Sequence, residues 1–297
     1  MRKLLIFSGW ISSNSVDKEA WSQKYGQLLA SEFNDIDKVI TFNRGCDQSL
    51  KSVLNSASNV MAMEDVPEAL DIGSDAAGYQ FGLSIAKDFI DRYDTIIFAH
   101  SKGASHSFSE YSQIIDDFRS RLFCPGKLEA MAESSPASLY VTDAFMTPNS
   151  KSIRDLSTLC QWSDVASLIS ICVTSSIFAV SATTLGCCIS KLPDNFLSSN
   201  LETMGFDRWF FENAFPSLLL AHCGNIVFTD PNQLDAELNP YVCYHAAPRH
   251  NGAVIARALK SAASAGEVRV SPIAVPFSFA ANPQDRSNFI AYDPGPG

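Results

Sequence analysis

Between Asp71 and Ser105 the chain runs DIGSDAAGYQFGLSIAKDFIDRYDTIIFAHSKGAS, and this stretch concentrates residues able to do chemistry. Asp71 and Asp75 place two carboxylates around Gly73 and Ser74. His100, Ser101 and Lys102 place an imidazole, a hydroxyl and an ammonium directly after the apolar run Thr95–Ala99. Gly73 permits a tight turn, Ser74 or Asp75 can cap the following helix, and the amides at a helix start attract anions. A carboxylate beside them can accept hydrogen bonds from ribose hydroxyls or from a base. Lys102 and His100 at a strand end would meet a diphosphate as a point charge and a hydrogen-bond donor. For residues 71–75 spacing alone favours plain capping, because Asp and Ser are preferred caps everywhere.

Ala99-His100-Ser101-Lys102-Gly103 also approximates a G-x-S-x-G nucleophile elbow, with Ala for the first glycine. That pattern would make Ser101 the nucleophile of an α/β-hydrolase-like serine esterase. Its partners are poorly placed: Asp143 is the acid candidate, and His222, His245 and His250 lie far downstream. Trp209-Phe210-Phe211-Glu212-Asn213-Ala214-Phe215-Pro216 puts one carboxylate inside an aromatic run. Desolvation would suit Glu212 to base work, whereas an ordinary amphipathic helix would put it on the wet face. Asp35-Ile36-Asp37 precedes a strand, at the wrong end for ligand binding, and reads as loop charge. Cys243-x-His245-x4-His250 is short of the three or four ligands that zinc takes, so no metal ligands are assigned.

The elements that must position these groups alternate in type. Apolar strands are expected at Lys3–Ser8, Lys38–Phe42, Asn59–Met63, Thr95–Ala99, Ser138–Thr142 and Ile226–Thr229. Helices are expected at Asp17–Phe33, Asp47–Ala57, Ala76–Tyr93, about Phe108–Phe123, Asp207–His222 and about Ala253–Ser264. Strands alternating with helices predict an α/β fold whose mostly parallel sheet carries helices on both faces. Continuous apolar strands such as Ile96-Ile97-Phe98-Ala99 fit burial on both sides. Residues 1–160 form the ligand-binding half, 161–271 the second half of the same compact domain, and 272–297 an irregular tail rich in Pro, Asn and Gly. Thr147–Asp155 is a loop or lid candidate.

The chain has 297 residues, 46% of them apolar and 18% charged, so a sizeable core is affordable. Its net charge of −10 argues against a nucleic-acid partner, which would call for a basic footprint. Eight scattered cysteines with no CxxC pair fit a reduced, cytoplasmic protein. Val165–Ser190 carries no charge and is long enough to cross a bilayer, but it is dense in Ser and Thr and lacks basic flanks. A short helix followed by a core strand near Ile177–Val180 is expected there instead.

Taken together, Asp71-Ile72-Gly73-Ser74-Asp75, Gly82-Leu83, Tyr93-Asp94 and His100-Ser101-Lys102 carry a resemblance. In content and order they resemble bacterial surface-polysaccharide glycosyltransferase-like proteins of the rhamnan-synthesis type, with Ser175–Ala179 and Glu212–Leu219 as later counterparts. Asp71 stands where that family usually has Asn. The resemblance implies a GT-A-like fold with a Rossmann-like N-terminal half, and transfer of a sugar from a nucleotide-sugar donor to a glycan acceptor. It implies that Asp71 and Asp75 face the nucleoside and His100 and Lys102 the diphosphate, that Gly73, Ser74 and Ser101 also belong to the nucleotide-sugar-binding set, and that Glu212 lies near the acceptor as the candidate base. It leaves dependence on a divalent metal, peripheral membrane association and oligomeric state open. A non-catalytic sugar-binding relative is the further alternative.

Overall fold

The computed structural model describes residues 1–101, 104–109, 111–112, 116, 126–134, 136–141, 144–146, 171–173, 176–212, 214–223, 225–228 and 269–270. The first half alternates as expected. Strand β1 (Lys3–Gly9) leads to helix α1 (Lys18–Gln27), which runs on into a wider turn at Leu28–Glu32. Strand β2 (Asp37–Phe42), helix α2 (Gln48–Leu54) and strand β3 (Val60–Asp65) follow. Helix α3 (Asp75–Ala86) then crosses to strand β4 (Thr95–His100). Beyond these come α4 (Lys127–Ser134), β5 (Leu139–Val141), β6 (Ala144–Met146), β7 (Ile171–Val173) and β8 (Phe178–Ser181). Helices α5 (Ala182–Ile189) and α6 (Ala214–Cys223), then β9 (Asn225–Phe228) and β10 (Arg269–Val270), complete the described elements.

Eight strands form one sheet in the order β10-β9-β5-β8-β4-β1-β2-β3, and β6 pairs with β7 separately. Every pairing in the large sheet is parallel except those of β8, which runs antiparallel to both β4 and β5. The fold is therefore α/β with a mostly parallel sheet, and strands from both halves of the chain share it. Strand alternation assigns the two faces. Leu4, Ile6, Val39, Ile96 and Phe98 pack with α3, α5 and α6, while Leu5, Phe7, Ile40, Ile97 and Ala99 pack with α1, α2 and α4. Helix α3 lies unusually close to β1 and β2. A Cβ on Gly78 would fall 2.0 Å from Ser8 Oγ, and one on Gly82 would fall 2.5 Å from Ile6 Cγ2, so only glycine permits the approach.

Two expected elements differ, and a third falls partly outside the described residues. Helix α3 stops at Ala86, and a single 3₁₀ turn at Ile90–Arg92 follows, which buries Ile90 and Tyr93 in the core beneath α3 before the chain enters β4. Within the uncharged stretch, residues 171–173 are strand, β8 falls on the core strand expected near Ile177–Val180, and a helix follows it; the stretch ahead of residue 171, where the short helix was expected, lies outside the described residues. The Ser181 hydroxyl fixes the start of α5 by accepting the Thr184 amide at 3.2 Å. The helix expected from Asp207 begins only at Ala214. Pro216 has no N–H to offer the Glu212 carbonyl and its ring would crowd that carbonyl in a longer helix. The Glu212 oxygen instead accepts the Val173 amide at 2.8 Å. No helix among the described residues is long and apolar enough to cross a membrane. The helices expected near 108–123 and 253–264, the loop 147–155 and the tail lie wholly or mostly outside the described residues.

Candidate functional site

The chain passes β1, β2 and β3 in one direction across the sheet and then returns through α3 to place β4 on the other side of β1. This reversal opens a crevice beyond the carboxyl ends of β1 and β4, where ligands bind in open α/β sheets. The side chains there follow from register. Ser8 is the neighbour of Thr41 on β2 and of His100 on β4. All three share the parity of Ile6 and Phe98, so they form a polar row under the first turns of α3. Thr41 Oγ1 donates to the Gly78 carbonyl at 3.0 Å, fastening the helix to the row.

Asn43 extends the row by one step past β2, its amide bonded to the Gly9 carbonyl at 3.1 Å. Its side-chain nitrogen lies 3.4 Å from Ser8 Oγ, and its Oδ1 has no partner although the residue is only 5% exposed. Ser74, also 5% exposed, occupies the N-cap position of α3 with extended backbone. Its hydroxyl caps nothing and is likewise unpaired. Ser74 stands one helical turn before Gly78, which puts it over the strand tips next to the row. Buried polar atoms without partners are rare in folded proteins, since each forfeits on the order of 1–3 kcal/mol of solvation. Two of them at one crevice mark it.

The remaining sequence-assigned residues separate into two groups. Asp75 and His100 do come together: Asp75 Oδ2 is 4.0 Å from His100 Nε2, and both side chains are mostly buried. Glu212 is buried rather than on a wet face, in the turn before α6. Tyr79 lies between these groups. Its ring stands edge-on to His100 at 6.2 Å and against Phe211 at 5.3 Å. Burial, then the charges of Asp75 and Glu212, push its phenol well above the usual tyrosine range.

Asp71 and Ser101 are used otherwise. Asp71 Oδ1 accepts the Gly73 amide at 2.7 Å and Oδ2 accepts the Arg44 amide at 2.8 Å, so this carboxylate ties the turn together. Gly73 has φ +67°, the left-handed conformation that glycine takes without a Cβ penalty. Ser101 has the opposite strand parity to His100 and faces the α1 side. Its hydroxyl accepts the Trp10 amide at 2.6 Å and donates to the Trp10 carbonyl at 2.7 Å. His100 and Ser101 therefore face opposite sides of the sheet, because successive strand residues alternate. Lys102, Gly103, Asp143, His245 and His250 lie outside the described residues. Asp35 and Asp37 sit at the amino end of β2, where Lys3 lies 3.7 Å from Asp35 and the Tyr93 hydroxyl donates to Asp37 at 2.8 Å.

Sequence reasoning missed Ser8, Asn43 and Tyr79. Asn43 had a signal, because a polar residue ends the apolar run of β2 on the crevice side; the other two read as strand and core. No group of three or more metal-binding side chains occurs among the described residues. No protein-family model matches the chain, and no curated protein matches its sequence.

Proposed function

We propose that this chain is a GT-A-like glycosyltransferase that moves a sugar from a nucleotide-sugar donor to a surface-polysaccharide acceptor, with cytoplasmic location part of the same reading. The observation that carries it is the crevice at the sheet reversal. It gathers two buried, unpaired polar atoms, the α3 amino terminus and the Asp75–His100 pair, and a buried Glu212 follows Phe211, whose ring packs on Tyr79 beside that pair. Asn43, Ser74 and Asp75 take the nucleoside; Asp71 shapes the turn that presents them. His100 and Lys102 meet the diphosphate. Glu212 takes the proton of an acceptor hydroxyl as its oxygen bonds to the anomeric carbon, and the nucleoside diphosphate departs with the bonding electron pair. Positive groups and the helix dipole offset the charge that develops on it.

The test is thermal unfolding with UDP, dTDP, GDP and CDP in turn. One of them should raise the midpoint, and Asp75→Ala or Lys102→Ala should remove the rise. Absence of a shift with all of them would sink the proposal. The esterase reading is weakened because backbone groups occupy the Ser101 hydroxyl on the far face from His100. Labelling of Ser101 by a fluorophosphonate would restore it. If nucleotide binds but no donor is turned over, the chain is a binding relative of the transferases.

A further inference from the structure

We propose that Tyr79 is a positioning residue of this site: its hydroxyl pins the Ser176 carbonyl just ahead of β8 and thereby holds Glu212 at a set distance from the Asp75–His100 pair. The inference rests on the sugar-transfer reading for what Glu212 does, and on geometry for how it is held. Tyr79 follows Asp75 by one turn of α3, so both lie on one helix face. It is fully buried, with its ring edge-on to Phe98 at 5.4 Å and packed on Phe211. Its hydroxyl donates to the Ser176 carbonyl at 2.9 Å, across 97 residues of sequence.

Ser176 is where the pin is needed. It is buried, and its φ of +54° lies in the left-handed region. A residue with a Cβ gives up about 1–2 kcal/mol there and stays only where its surroundings over-determine it. Three residues earlier, the Val173 amide donates to the Glu212 carbonyl at 2.8 Å, a bond made available because Pro216 leaves that carbonyl outside α6. The contacts therefore close a ring: from Tyr79 to Ser176, along the chain to Val173, across to Glu212, and back through Phe211 to Tyr79. Burial keeps the phenol protonated, so it acts as a donor.

Tyr79→Phe keeps the ring contacts and removes only the hydroxyl. The variant should bind the stabilising nucleotide with a Kd within threefold of wild type. Its turnover of the matching nucleotide-sugar should show kcat reduced at least tenfold at unchanged KM. Amide hydrogen exchange at Val173 should quicken at least tenfold, while β1 and β4 stay protected. Adding Ser176→Gly should recover at least a third of kcat and of the Val173 protection, since glycine takes φ +54° without strain. The inference is overturned if Tyr79→Phe leaves Val173 exchange within twofold of wild type, or if the glycine brings back nothing in a folded protein. It is equally overturned if KM rises with kcat unchanged. Should wild type bind no nucleotide, the sugar-transfer reading fails on its own, and the exchange measurements still decide whether the pin exists.

Discussion

The two ends of the parallel strands differ in how they treat polar groups. At the amino ends nearly every such group shown has a partner. Lys3 pairs with Glu129 at 2.5 Å, Tyr93 bonds Asp37, and the Arg2 amide donates to Asp94 at 2.6 Å. Even the buried Lys38 ammonium donates to the carbonyls of Ile36 at 2.6 Å and Ser58 at 3.0 Å. At the carboxyl ends Asn43 Oδ1 and Ser74 Oγ have no partner, and Asp75 and His100 stand 4.0 Å apart. Both ends are cut from the same sheet, so burial alone does not explain the contrast. One end spends its polar groups on closing the fold, whereas the other leaves two buried atoms, Asn43 Oδ1 and Ser74 Oγ, without partners, as a site for an exogenous ligand must.

Substitutions can break this contrast. Lys38→Ala should be the most damaging, costing about 2–4 kcal/mol, because it leaves two carbonyls without a donor and opens a space. Urea unfolding measures it, and a loss under about 1 kcal/mol would show that the amino end is not a structural seal. Gly78→Ala should cost about 1–3 kcal/mol by driving a Cβ into Ser8 and Thr41, and should abolish any nucleotide-induced rise in midpoint as α3 lifts from the row. Adding Ser8→Gly should recover part of the stability.

The sharpest contrast is at Asn43 and Ser74. Asn43→Leu should cost no more than about 1 kcal/mol, since it gives up only the 3.4 Å contact of Nδ2 with Ser8 Oγ, and Ser74→Ala should change stability by less than about 0.5 kcal/mol, because an atom without a partner contributes little when removed. The second value departs from the usual loss of about 0.5–2 kcal/mol for an N-cap serine, since this hydroxyl caps nothing. Both should remove the nucleotide-induced shift. An N-cap-sized loss at Ser74, with nucleotide response intact, would return the residue to ordinary capping.

Titration gives the smallest effects, confined to the sealed end. Burial first, then the hydrogen bond and charge of Asp37, push Tyr93 up to about 12 from 10.0. A raised folded value stabilises the protein below the unfolded value, and that contribution is lost as pH climbs from 10 towards 12. Tyr93→Phe should flatten this part of the stability curve. For Glu129, burial alone would push the carboxyl up, but the Lys3 hydrogen bond and charge, together with backbone hydrogen bonds, outweigh it and hold it below the usual 4.5. That depressed value contributes stability above 4.5, lost as pH falls through the folded value, and Glu129→Gln should remove the dependence.

Legibility followed the range of the interaction. Strands β1, β2 and β4 were readable because buried parallel strands leave unbroken apolar runs, and the Gly73 turn because only glycine takes φ +67° cheaply. The start of α6 was less so. Pro216 was visible, but that the Glu212 carbonyl would turn to β7 depended on a strand about forty residues earlier. His100 and Ser101 looked like one polar cluster on paper, and the pleat sends them to opposite faces of the sheet.

The sequence by itself determined the alternation of strands and helices, the core-forming runs, and the gathering of polar residues at the ends of β3 and β4. Those properties follow from local periodicity and backbone preference, which act over a few residues. Only the tertiary structure decided which of those polar groups are consumed and which stay unpaired. It tied Asp71 to two amides and Ser101 to Trp10, and it brought Asp75 and His100 together beside the buried ring of Tyr79. Hydrogen-bond satisfaction depends on neighbours that arrive from distant positions when the sheet assembles, and no spacing along the chain encodes that meeting.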